Sequence, residues 1–164
     1  VALRLSRPTA ALVPAKQAMD LFQVVLSQQP LRFAIEFGWS QVVVAAALLE
    51  SGRIREAIAM ADSALNSLAT DAKIRPAFVE PNHAMAMAIC ARDPELLRSD
   101  AADRARQALN LLEPHFRRRA RSLVYQMDMV AGSLYATAEP SDPNPLPSDI
   151  AAILNKARPP LAHI

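Results

Sequence analysis

The segments AIAMADSALNSL (Ala57–Leu68) and AADRARQALNLL (Ala101–Leu112) set Ala, Ala, Ala-Leu and Leu at matching internal positions. The matched residues are Ala57, Ala61, Ala64, Leu65 and Leu68 in the first, and Ala101, Ala105, Ala108, Leu109 and Leu112 in the second. Each pair is 44 residues apart. Steps of three and four residues keep side chains on one face of an α-helix. Small residues on that face let a second helix approach closely. The echo predicts two similar amphipathic helices, and with them a repeated helical unit.

Composition points the same way. The chain has 164 residues and is 52% hydrophobic but only 5% aromatic, so its core is expected to be aliphatic and alanine-rich. Alanine loses no side-chain entropy in a helix. With three glycines and no Asn-Gly or Asp-Gly turn, hairpin signals for a sheet are missing. The expected fold is all-α, with about six to seven helices. Basic and acidic residues number 18 and 16, for a net charge of +2. That balance alone demands neither nucleic acid nor an anionic membrane. Arginine far outnumbers lysine (Lys16, Lys73 and Lys156 only), which together with the alanine content suggests a GC-rich, bacterial coding genome. The compartment stays open between bacterial cytoplasm and, if Val1 follows a removed segment, periplasm. The longest apolar run, Val42–Leu49, is read as a buried helix segment and not a membrane span.

Prolines mark the expected boundaries. A first helix is predicted from about Pro14 to Ser27, burying Ala18, Leu21, Phe22, Val25 and Leu26. A second runs from Pro30 to a glycine cap at Gly52, and a third from Arg53 to about Leu68. Ala69–Pro81 reads as a long, partly extended connection, because Pro76 and Pro81 disfavour helix in the residues before them. A helix follows to Ala91, then a restart with Asp93 as N-cap, and the second copy of the echo over about Ser99–Glu113, with Asp100 and Arg104 paired four apart. Pro114 is expected to break the chain into a last long helix, His115 to about Ala138. Residues 1–138 thus form a helical repeat domain. Residues 139–164 form a proline-rich C-terminal segment with a short helix capped by Ser148.

The stretch Gly52–Leu65, GRIREAIAMADSAL, resembles the second helix of a tetratricopeptide repeat through Gly52, Ile54, Ala57 and Ala64-Leu65. The resemblance covers one unit, about residues 38–71. The first-helix aromatic and Leu-Gly positions of that family fall on Gln41, Val44 and Ala45, and the spacing of 44 exceeds the family's period of about 34. Carrying Trp39 and His83 forward by the same 44 lands on Met127, so a truncated third copy is expected there. The resemblance implies antiparallel helical hairpins stacked as a short array. It also implies a non-enzymatic scaffold or adaptor role, binding a protein or peptide on the array surface.

Residues with chemistry are sparse. His83, His115 and His163 are far apart and lack metal-ligand spacing, and no phosphate loop or nucleophile motif is present, so neither catalytic residues, metal nor cofactor is expected. Cys90 reads as a buried, inert thiol, and His83 as a cap or half-buried residue. Glu36 and Glu50 lie roughly on one side of one helix and read as solvated or capping charges rather than an acid–base pair. Trp39 either packs between hairpins or anchors a partner, with Gly38 beside it allowing a close approach or a kink. Arg117, Arg118, Arg119 and Arg121 are the second candidate partner-binding group. Expected at a helix start, they oppose the helix dipole and so call for a partner: acids of the neighbouring hairpin such as Asp100 and Asp103, or an external anion, nucleic acid or anionic surface. An accessory or regulatory domain of a larger bacterial protein, such as a membrane glycan polymerase or a transcription regulator, is the alternative role.

Overall fold

The computed structural model describes residues 8–72 and 76–158; His163 and Lys73 lie outside them. Among the described residues there are seven α-helices and no strand: α1 (Pro8–Gln28), α2 (Pro30–Glu50), α3 (Ile54–Ala72), α4 (Pro76–Cys90), α5 (Arg98–Arg119), α6 (Val124–Thr137) and α7 (Ser148–Ala157). A short 3-10 turn at Ala120–Ser122 joins α5 to α6. Each helix from α1 to α6 packs on the next, and α4 also lies against both α2 and α6.

The echo is the core. Ala57, Ala61, Ala64 and Leu68 are fully buried on α3, as are Ala105, Ala108 and Leu112 on α5, while Ala101 and Leu109 retain 6% exposure. Two apolar clusters result. One joins α2, α3 and α4 through Val42, Ala61, Leu68 and Ile89. The other joins α4, α5, α6 and α7 through Ala88, Leu112, Phe116, Met127 and Ile150. Helix α4 serves both, which explains a sequence apolar almost all round. Each fully buried leucine or phenylalanine contributes roughly 1.5–3 kcal/mol.

Gly52 ends α2 as expected. Its φ is +77°, Gly52 N–H donates to Leu49 C=O at 3.0 Å, and Arg53 N–H donates to Leu48 C=O at 2.9 Å. This paired closure satisfies two terminal carbonyls and needs a left-handed residue at its centre. Gly38 permits a close approach: a Cβ there would sit 2.6 Å from Leu68 Cδ2. The position where the tetratricopeptide pattern has its aromatic holds Gln41, 4% exposed. Its amide donates to Ser63 Oγ at 2.7 Å and accepts from Ser67 Oγ at 2.8 Å, a polar clasp between α2 and α3.

The prolines misled the boundary predictions. Pro14, Pro81 and Pro114 all lie inside helices. Helix α1 begins at Pro8, and α4 at Pro76, where an extended connection was expected. Most consequentially, α5 continues through Pro114 to Arg119, so the last long helix begins at Val124 and not His115. A proline inside a helix costs about 3 kcal/mol. Here the stripe Ala105, Ala108, Leu109, Leu112, Phe116 runs unbroken across it, and burial of Phe116 offsets the cost. Asp93 caps a turn rather than a helix, accepting Glu95 N–H at 2.9 Å. Asp103 pairs with Arg106 in place of the expected Asp100–Arg104 pair. On α1, Leu21 is exposed, Ala18, Phe22, Val25 and Leu26 are half-buried, and the fully buried contacts are Ala11 and Ala15. Pro147, not Ser148, precedes α7, which buries Ile150 and Leu154 in the second cluster.

The 18-residue stretch Phe33–Glu50 has mean hydropathy 1.4, long and apolar enough to cross a membrane by those criteria, contrary to the reading from run length. Half of it is buried inside the fold.

Candidate functional site

Arg117, Arg118, Arg119 and Arg121 sit where α5 ends, not where a helix begins. Arg117, Arg118 and Arg119 occupy its last turn. Cations there complement the negative end of the helix dipole, which removes the repulsion expected from the sequence. Arg117 is held by Glu113 on its own helix and by Asp149 on α7, at 2.7 and 2.5 Å. The hydrogen bond from Arg117 holds the Asp149 carboxyl below its usual range. Asp100 and Asp103, the acids expected to neutralise the cluster, lie at the other end of α5. Arg119 donates to Ala77 C=O at 3.0 Å. That carbonyl is four residues before Pro81, which has no N–H to offer it. Two of the four arginines therefore hold α4, α5 and α7 together. Arg118 and Arg121 are exposed, with no hydrogen bond or ion pair to another described residue.

Trp39 is half-buried and packs against the first apolar cluster, that of Val42, Ala61, Leu68 and Ile89. Its indole Nε1 is buried and has no hydrogen-bond partner among the described residues. The same holds for Glu36 Oε2, His83 Nδ1 and Gln126 Oε1. These four residues lie on α2, α4 and α6, the helices that share α4 as a common neighbour. Trp39 and His83 occupy the same place in the 44-residue register, and Gln126 is one residue from the third. A buried polar atom left unpaired costs about 1–3 kcal/mol. All four side chains are only half-buried, so they border the surface. Burial lowers the pKa of His83, against a smaller opposing effect of Glu80, and favours the neutral ring. Gln126 escaped the sequence reading; the register that paired Trp39 with His83 pointed one residue past it.

The remaining candidates are engaged elsewhere. His115 Nε2 pairs with Glu80 across α4 and α5. Glu50 accepts the Tyr125 hydroxyl at 2.9 Å, bridging α6 to α2. Glu36 and Glu50 are thus not brought together, being fourteen residues or roughly 21 Å apart along α2. Cys90 is buried and donates to Asp62 Oδ1 at 3.3 Å. Burial, with the Asp62 contact, pushes its thiol pKa up to about 12. Among the described residues no cluster of three or more His, Cys, Asp or Glu could hold a metal. An open cavity of about 310 Å³ lies between the α4–α5 connection and the end of α6, beside Arg92, Asp93, Arg98 and Thr137. Asp93 is tied to the Glu95 amide there, and Arg92 reaches Gly132 C=O at 3.4 Å.

Comparison with known proteins gave no match: no family model, no curated protein and no solved structure is significantly similar to this chain.

Proposed function

We propose that this chain is a non-enzymatic interaction module that binds a protein or peptide along the face formed by α2, α4 and α6. In this reading α2–α3 and α4–α5 are successive tetratricopeptide-like hairpins, and α6 is the first helix of a truncated third. The buried echo on α3 and α5 supports it, as do the contacts of α4 with both α2 and α6.

The observation that carries the binding role is the set of unpaired polar atoms on those three helices. Trp39 Nε1–H is a donor; Glu36 Oε2 and Gln126 Oε1 are acceptors; neutral His83 serves as either, by tautomer. Donors and acceptors on neighbouring helices match a peptide backbone, which offers both at every residue. An anion would use only donors, and two of the four clustered arginines are already committed within the fold. Binding would satisfy groups that cost free energy in the isolated chain.

The test is selection from a random peptide library on the immobilised chain. Peptides with a shared pattern are expected, and Trp39→Phe, His83→Ala and Gln126→Ala should each weaken their binding while helicity by circular dichroism is retained. Absence of any converging peptide, or binding indifferent to all three changes, would overturn the proposal.

A further inference from the structure

Helix α1 carries three of the most exposed large apolar side chains: Val13 at 62%, Leu21 at 68% and Val24 at 59%. Among the described helices α1 packs only on α2, using Ala11 and Ala15 on its opposite side. At about 100° per residue, Val13 and Val24 are separated by about 20° around the helix, and Leu21 by about 80° from Val13. Gln17 lies within the same stripe, Asp20 just beside it, and Lys16 on that same flank. An end helix of a stacked array stays soluble when its outer face is polar. This one is not.

The pattern is complementary to itself. Turning a second α1 antiparallel about a two-fold axis near residues 18 and 19 sets Val13 of one copy against Val24 of the other, twice. A two-fold axis across an antiparallel pair brings like flanks together. Lys16 then faces Asp20 of the second copy, again twice, so both charges at the edge are neutralised. Such a self-complementary patch is what an isologous dimer requires. We infer that the chain self-associates through this face of α1, as a two-fold antiparallel helix pair with a second copy of itself.

One helix face is a small interface, so the expected dissociation constant is micromolar, on the order of 10 µM. Sedimentation equilibrium of the full chain from about ten-fold below to ten-fold above that concentration tests it. A monomer–dimer equilibrium is expected, with Val13→Glu or Val24→Glu shifting it at least ten-fold toward monomer. Because both valines are exposed, the melting temperature extrapolated to low concentration should stay unchanged, and Val24→Gln serves as a milder second variant. Asp20→Lys sets like charges opposite Lys16 and should weaken the dimer; adding Lys16→Glu should restore it. Lys16 also lies in the field of Glu56 on α3, so the double variant is compared with Lys16→Glu alone as well, a pair in which that field is the same. A monomer at every concentration overturns the proposal. A dimer indifferent to Val13→Glu and Val24→Glu, or not recovered by the charge exchange, overturns it equally.

Discussion

Arg119 Nη2 donates to the Ala77 carbonyl at 3.0 Å, the very acceptor that Pro81, lacking an N–H, leaves open inside α4. A residue of one helix thereby fills the gap made by a proline in another. Removing the guanidinium with Arg119→Ala should cost about 1 kcal/mol. In a Pro81→Ala background, the new alanine N–H can close the bond itself, and the same change should cost markedly less. Urea denaturation of the four chains gives the coupling energy. Equal costs in both backgrounds would show that Arg119 does no such work.

Gly38→Ala brings a methyl to 2.6 Å from Leu68 Cδ2, deep in the contact between α2 and α3. Overpacking of this kind costs about 1–3 kcal/mol, more than the gain in helix propensity from glycine to alanine. Thermal melts should show the loss. Combining Gly38→Ala with Leu68→Ala should be less destabilising than the sum of the two changes, because the truncated side chain vacates the clash.

The fold was largely legible because the signals that decide it are local and periodic. The echo at Ala57–Leu68 and Ala101–Leu112 told which faces are buried, and every matched position is buried except Leu65, which is half-buried. Gly52 was readable for the same reason, since a helix end that needs positive φ selects glycine. Proline is a poor guide to the boundaries here, since Pro14, Pro81 and Pro114 lie inside helices. Proline removes one hydrogen bond, and a continuous buried stripe from Leu109 to Phe116 outweighs that loss. The misplaced end of α5 then inverted the reading of Arg117–Arg121 against the dipole. Glu113, four residues before Arg117, was the missed local acid. Asp149 and Ala77 are tertiary partners, and no local pattern encodes them.

His83 gives the stability a pH dependence with a definite sign. Burial lowers its folded-state pKa below the ordinary 6.5. The unfolded chain therefore binds the proton more readily, so the stabilisation is full above 6.5 and is lost as pH falls through and below that value. Denaturation midpoints measured from pH 8 down to pH 5 should fall, and His83→Gln should flatten that part of the profile. An unchanged slope in the variant would assign the titration to another group.

Cys90, with its thiol pKa near 12, carries almost no thiolate at neutral pH. Its reaction with an aromatic disulfide reagent should be at least a hundred-fold slower than that of a free thiol and should rise to the free rate in unfolding concentrations of urea. Asp62→Asn should recover only part of the reactivity, since burial is the larger cause.

Trp39 is the single tryptophan of the chain, so its indole Nε1–H gives one identifiable cross-peak in a nitrogen–proton correlation spectrum. Titration of a library-selected peptide while following that peak tests the binding face most directly. A saturable downfield shift is expected, as the unpaired indole N–H gains an acceptor, with changes in α4 and α6 residues around His83 and Gln126 following the same isotherm. A peptide that saturates the protein while the Trp39 peak stays in place would contradict it.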